Sequence, residues 1–433
     1  MVRIKNSSKG TRLNRIHPYP AMIADDVALG TVTQYVKPGS VVLDPFCGTA
    51  RTLYAAAARG GTCFGLDINP LAVLIARAKD MRILPNLGDM EKIGRRGRAP
   101  DLELDPGRKV KWFTNSAERE LNQIIGWINS LSISSNVRNT LACVLSATVR
   151  EVSFCRKRQW KLHRMSASSR RMFRPSAVGV FKRRLESLAR DLRTPPLPGK
   201  VKIARGDARK LRTVLKRRKF PSSYDVIFTS PPYGDSRSTV GYGGMSSMCL
   251  GVLRHISNLH LVYESGHAID SWCLGGLSRA GGGYPATGKY WAGSVNSNEF
   301  ERVGSFLRDL AATCCEIAAI SHVGTKAIFV VARRSVRHRR LYIDHFLSDE
   351  LGKHGFRLVE NTKRSIEHKN TPHVIDRKAR CRDADKVRTM EREFILAFEK
   401  VATRRKKGRK RSEVRLRRTT AHGGGTKIRA RSF

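Results

Sequence analysis

The sequence predicts an α/β fold: a mostly parallel sheet with helices on both faces. Three observations carry the prediction. Val41-Val42-Leu43, Thr62-Cys63-Phe64-Gly65-Leu66 and Tyr224-Asp225-Val226-Ile227-Phe228 are short apolar runs, the pattern of strands buried on both faces. Each ends in a tight Gly- or Pro-bearing turn, and helical stretches follow the first two. With 433 residues and 40% apolar content, the chain can fill a large core.

Charge points to a partner. The formal net charge is +46, from 82 Lys+Arg against 36 Asp+Glu, and such an excess attracts polyanions. Nucleic acid is the first candidate. An anionic membrane is the second, but no apolar run has transmembrane length and no signal-peptide core follows Met1. Nine Cys without C-x-x-C spacing fit a reducing cytoplasm and suggest no metal site. Adjacent Cys314-Cys315 reads as two small buried hydrophobes.

In chain order, residues 1–15 form a flexible basic arm. Ile16-His17-Pro18-Tyr19-Pro20-Ala21-Met22 leads into a helix ending near Val36, its prolines fixing the entry. Val41-Val42-Leu43 is a strand. Asp44-Pro45-Phe46-Cys47-Gly48-Thr49-Ala50 turns into a helix over Arg51–Ala58, where Gly48 lets backbone approach a nucleotide-like ligand. Thr62–Leu66 delivers Asp67-Ile68-Asn69-Pro70. An acid there can accept from ribose hydroxyls or cap the Ala-rich helix that follows. Residues 84–110 are a connector, and apolar residues at helical spacing predict two helices over 117–153.

Phe154-Cys155-Arg156-Lys157-Arg158-Gln159-Trp160-Lys161-Leu162-His163-Arg164 mixes bases and aromatics, which suits phosphates and unstacked nucleobases; a solvated basic loop is the alternative. A helix over 178–192 completes a helical insertion. Lys200–Ala204 is a strand ending at Gly206-Asp207. Residues 234–300, including Arg237, are rich in Gly, Ser and Tyr and predict a long mobile loop. A helix over 299–320 and strands at 327–331, 356–359 and 394–398 follow. From Arg404 on there are 13 Lys/Arg and one acid, a disordered basic tail.

The centre of the chain is Ser230-Pro231-Pro232-Tyr233. Two prolines cannot extend a ladder, so the Tyr224–Phe228 strand ends here in a stiff loop. Ligands of open α/β sheets bind outside the carboxyl ends of strands. This loop offers a hydroxyl, carbonyl acceptors and an aromatic face to a planar ring carrying an exocyclic amine.

Together these motifs resemble the amino-group DNA methyltransferases. Ser-Pro-Pro-Tyr is similar to that family's catalytic motif, in a form typical of enzymes acting on N4 of cytosine; Asp or Asn in the first place is typical of N6-adenine enzymes. The His17–Ala21 run is similar to a cofactor-side motif. Asp44–Ala50 fits six of seven positions of Asp-Pro-Phe-x-Gly-Ser/Thr-Gly, with Ala50 in place of the last glycine. If that position needs a positive φ, Ala50 is strained; if it needs only a small side chain, it is harmless.

The resemblance implies a Rossmann-like class I methyltransferase with a seven-stranded sheet. It implies S-adenosyl-L-methionine as cofactor, bound by His17, Pro18, Tyr19, Pro20, Asp44, Pro45, Phe46, Cys47, Gly48, Thr49, Asp67, Ile68 and Asp207. Ser230, Pro231, Pro232 and Tyr233 would hold a flipped base for direct methyl transfer. No Cys follows a proline, which disfavours carbon-5 cytosine chemistry.

DNA is the expected partner, contacted by Arg156, Lys157, Arg158, Trp160, Lys161 and Arg237, with a cognate restriction endonuclease as a further partner. RNA as substrate, or a non-catalytic nucleic-acid-binding role, are the alternatives. The expected division is 16–110 for the cofactor half, 111–199 for the basic helical insertion, 200–233 for the catalytic strands, 234–300 for target recognition, 301–400 for the remaining core and 401–433 for the tail.

Overall fold

The computed structural model describes residues 12–80, 93, 111–156, 162–191, 197–235, 241–259, 264–276, 283–295, 297–336, 339–366, 374–376, 386–388 and 392–402. Expectations for the arm before residue 12, for most of the 84–110 connector and for the tail lie outside them. So do those for Lys157, Arg158, Trp160, Lys161 and Arg237.

Seven strands form the main sheet: β1 (Val41–Asp44), β2 (Thr62–Asp67), β3 (Lys200–Arg205), β4 (Tyr224–Thr229), β5 (Ser321–Ala332), β6 (Phe356–Ser365) and β7 (Arg392–Lys400). Their order is 3-2-1-4-5-7-6. β7 runs antiparallel between β5 and β6, and the other neighbours pair in parallel. This is the Rossmann-like sheet expected from the sequence. The order reverses between β1 and β4, which opens a crevice at their carboxyl ends.

Alternation along each strand explains the two faces. Val42, Val226, Phe228, Ile328 and Val330 pack with α1 (Asp25–Tyr35), α2 (Arg51–Ala58) and part of α3 (Pro70–Ala78). Leu43, Ile227, Phe329 and Val331 face the opposite layer.

Between β2 and β3 the chain builds the expected insertion: α4 (Asn115–Ser130), α5 (Ser135–Val152), α6 (Ala167–Met172) and α7 (Ala177–Asp191). Leu121, Ile125, Leu145, Val149 and Phe181 form its own core, which joins α3 through Leu71 and Ile75. After β3 comes α8 (Leu211–Arg218).

Residues 234–300 depart from the expected loop. They carry α9 (Tyr242–Leu253), α10 (Gly266–Trp272) and α11 (Thr287–Tyr290). α9 is buried all round and belongs to the core of the insertion. The chain closes with α12 (Asn298–Ala319) and α13 (Ile343–Lys353), which with α8 and α11 cover the second face of the sheet. Within α12, Cys314 is buried as expected, but Cys315 is exposed because the next position on a helix turns away from the core. No described helix is long and apolar enough to cross a membrane.

Candidate active site

β1 ends at Asp44, whose carboxylate points inward. It accepts from the hydroxyls of Thr52 and Thr229, each at 2.7 Å, and from the Phe46 N–H at 3.1 Å. Burial raises its pKa to about 6. All three donors are protein groups, so Asp44 pins α2 and β4 to β1 instead of facing the crevice. Pro45 is buried beside it, and Phe46 lies against the second face of the sheet.

The Cys47 N–H donates to the Leu66 carbonyl at 2.9 Å, fastening the turn to β2. Gly48 has φ +50°, and a Cβ there would meet nothing within 4 Å. The space above it is open, so a ligand can approach the backbone. The Thr49 carbonyl accepts from the buried Lys79 ammonium at 2.6 Å. Ala50 takes φ 60°, ψ 34° and starts α2, whose first N–H groups have no intrahelical acceptor.

Asp67 stands at the end of β2. It accepts from the N–H groups of Gly48 at 2.9 Å and Asn69 at 2.8 Å. Burial dominates those bonds and raises its pKa to about 6. Each oxygen keeps a lone pair, and the residue is partly exposed, so it can still accept from a diol. Ile68 follows, half-buried, with its carbonyl taking the Arg205 Nε at 3.3 Å.

Besides Asp44, two further expected contacts differ. His17 is buried, its Nδ1 donating to the Pro18 carbonyl at 2.7 Å and its Nε2 accepting from Ser146 at 2.9 Å. Burial lowers its pKa to about 3, so the ring is neutral and has no nitrogen left for a ligand. It locks the Pro18–Pro20 turn onto α5. Asp207 is held by Arg209, with Nε at 2.9 Å and Nη2 at 2.7 Å, and Arg209 also reaches Asp309 at 2.7 Å. That carboxylate is already paired, because the arginine two residues on folds back over it.

Tyr19 is buried, stacks on Tyr242 with centroids 6.1 Å apart, and accepts from Asn69 at 3.0 Å. Asn69 also donates to Ser246 at 2.8 Å, which joins the N-terminal run, the loop after β2 and α9. These bonds tie Tyr19 and α9 to the loop after β2, next to Asp67 and the Gly48 turn.

Ser230 follows β4 at the strand's carboxyl end, half-buried beside the buried Pro231, with Pro232 and Tyr233 partly exposed. Ser230 Oγ and Tyr233 Oη are 3.2 Å apart, and Tyr233 Oη donates to Glu393 at 3.5 Å. Glu393 was not singled out from the sequence. It lies near the start of β7, and because β7 is antiparallel its start falls at the carboxyl edge of the parallel strands, level with Ala332 of β5. A carboxylate only accepts, so it orders the chain: Tyr233 donates to Glu393, Ser230 donates to Tyr233, and both Ser230 lone pairs stay open. Gly234 closes the loop at φ 153°, where a Cβ would lie 2.6 Å from an Arg334 nitrogen.

Comparison with known proteins finds methyltransferases similar to this chain. A family of DNA methylases acting on N6 or N4 matches residues 1–78. The type II methyltransferase M.MvaI of Kocuria varians is 25% identical over 407 residues, covering 85% of this chain and 87% of its own. The chain is thus similar to the N6/N4 amino-group DNA methyltransferases, through the family model at its start and through this relative along most of its length. Its cofactor is S-adenosyl-L-methionine.

Among solved structures, TrmN from Thermus thermophilus aligns with TM-score 0.32 and 11% identity over 90% of this chain, which spans about half of that protein at 53%. The rRNA methyltransferase aviRa from Streptomyces viridochromogenes gives 0.32 and 11% over 92% of this chain and 94% of its own. The residues present fit the cofactor. Open space over Gly48, unused acceptor capacity on Asp67 and the free N–H groups of α2 suit a molecule with a ribose and a charged amino-acid end.

Proposed function

We propose that this methyltransferase modifies N4 of cytosine in DNA, with N6 of adenine as the second choice of base. The observation that carries the reading is Ser230: it sits at the carboxyl end of β4, across the β1/β4 crevice from Gly48 and Asp67, with its lone pairs unspent. The cofactor supplies an electrophilic methyl group. Asp67 and the Gly48 turn hold it, and Asp44, His17 and Lys79 keep that turn in shape. Tyr233 offers its ring to a base taken out of the duplex. Ser230 and the nearby prolyl carbonyls accept from the exocyclic amine, which keeps the nitrogen lone pair aimed at the methyl. Positioning supplies most of the acceleration, and no covalent bond to the base is needed. Arg156 and the basic residues after it bind DNA phosphates. Its relative's type II label supports a place beside a restriction endonuclease.

Incubation with labelled cofactor and either DNA or RNA, followed by nucleoside analysis, tests this. N4-methylcytosine is expected. N6-methyladenine would move the choice of base, label in RNA alone would move the substrate, and no label would leave a binding protein. Ser230→Ala should lower turnover with little change in DNA affinity. Tyr233→Ala removes stacking worth roughly 1–3 kcal/mol, so activity should fall by about one to two orders of magnitude with cofactor affinity unchanged. If both variants lose thermal stability and keep turnover per folded molecule, the loop is only a rigid turn.

A further inference from the structure

We propose that the surface formed by Phe154–Arg156 and Leu162–Arg174 is where duplex DNA lies beside the active site, and that Met172 enters the base stack there when the target base leaves it. This rests on the DNA reading above. Met172 is the most exposed large apolar side chain of the described residues, at 82%. It ends α6, a helix in which no side chain is buried. Core packing therefore does not account for α6. It is held from its base: Cys155 bridges to Arg164, the Met165 N–H donates to the Phe154 carbonyl at 2.8 Å, Ser166 caps the helix, and Arg170 donates to the Met165 carbonyl at 2.6 Å. Phe173 packs on Phe154 with centroids 6.1 Å apart. The result is a firm mount with a bare Met at its tip.

The charge around that tip selects the occupant. Between Glu151 and Glu186 the sequence has eleven Lys/Arg and no acid. Arg183 and Arg184 pair with Glu151. Arg156, Arg164, Arg170, Arg171 and Arg174 meet no carboxylate among the described residues. A surface of unneutralised arginines around one apolar side chain matches a polyanion with an apolar stack inside it. A lipid surface would need a longer apolar face than α6 offers, since its other positions are Ala167, Ser168, Ser169, Arg170 and Arg171.

Position fits as well. Leu162 touches the first turn of α9, where a Cβ on Gly244 would be 3.4 Å from it, and Cys155 Sγ lies 3.9 Å from Met248 Sδ. That turn carries Tyr242, stacked on Tyr19. Apolar side chains set between arginines can enter a base step and compensate for an extruded base.

The test uses the full-length protein and a duplex containing the site mapped by the product analysis above, once with the target base paired and once mismatched. Met172→Ala should slow methylation of the paired duplex roughly tenfold and recover on the mismatched one, where little unstacking work remains. Its melting temperature should not move, because the side chain is exposed. The double variant Arg170→Ala, Arg171→Ala should flatten the salt dependence of binding by about 0.9 for each phosphate it no longer neutralises. Equal slowing on both duplexes, or none on either, overturns the role of Met172, and an unchanged salt slope overturns the docking surface. If the native protein methylates DNA while these variants match it, only this inference falls. If it labels RNA and no DNA, the DNA reading falls with it.

Discussion

Ala50 carries two opposed terms. Its backbone is left-handed, which costs a non-glycine residue about 1–2 kcal/mol, yet its methyl is fully buried between Cys47 and Leu53, worth about 0.8 kcal/mol. Glycine would relieve the first, forfeit the second and loosen the unfolded chain. Ala50→Gly should therefore change stability by less than about 1 kcal/mol, whereas Ala50→Val, branched and overpacked, should cost more than about 2 kcal/mol; denaturant midpoints decide. Lys79 supports the same turn from beneath. Burial lowers its pKa from 10.5 to about 7. Between about 7 and 10.5 the unfolded chain holds a proton that the folded one has released, so stability rises with pH across that window; below about 7 both hold it and the penalty is constant. Melting temperatures across that range should rise less in Lys79→Met than in the native protein. Parallel curves would mean that Lys79 titrates normally.

Elements show what the sequence made legible. Short apolar runs and their loops announced β1, β2 and β4 nearly to the residue, because strands buried on both faces leave a pattern that little else produces, while β3, the edge strand with an exposed start, was placed by the Gly206-Asp207 turn that ends it. α9 did not announce itself. Gly243, Gly244 and Gly251 argue against a helix, and residues apolar all round leave no period to read. The structure supplies the reason: a Cβ on Gly243 would lie 2.0 Å from the Gly266 carbonyl, so glycine is what lets α9 and α10 touch. Glu393 was invisible for another reason. Sequence shows a charge ahead of an apolar strand, and only the antiparallel insertion of β7 carries it to the site. Glu393→Gln tests that placement. The amide can donate to Tyr233, which frees the tyrosine to donate back to Ser230 and spends a lone pair meant for the amine. Turnover should drop about tenfold or more at unchanged cofactor affinity. Glu393→Asp, which keeps an acceptor, should recover part of it. Equal activity in all three would remove Glu393 from the site.

At the scale of the whole molecule, charge is the dominant fact. The net +46 exceeds what any fold requires, and residues 404–433 alone hold 13 Lys/Arg and one acid, a net +12 from 13 − 1. Removing them leaves +34, still strongly basic. The remaining excess includes the arginines of the insertion. On the proposed reading both groups of charge attract DNA, and deletion of the tail separates their contributions. Deleting residues 403–433 should lower affinity for random-sequence DNA and flatten its salt dependence by about 0.9 for each phosphate the tail had neutralised. Turnover on saturating substrate should hold, because no site residue lies in the deleted segment. If binding isotherms at several salt concentrations keep the native slope, the tail does not neutralise phosphates. If turnover also falls at saturation, it acts on the site itself.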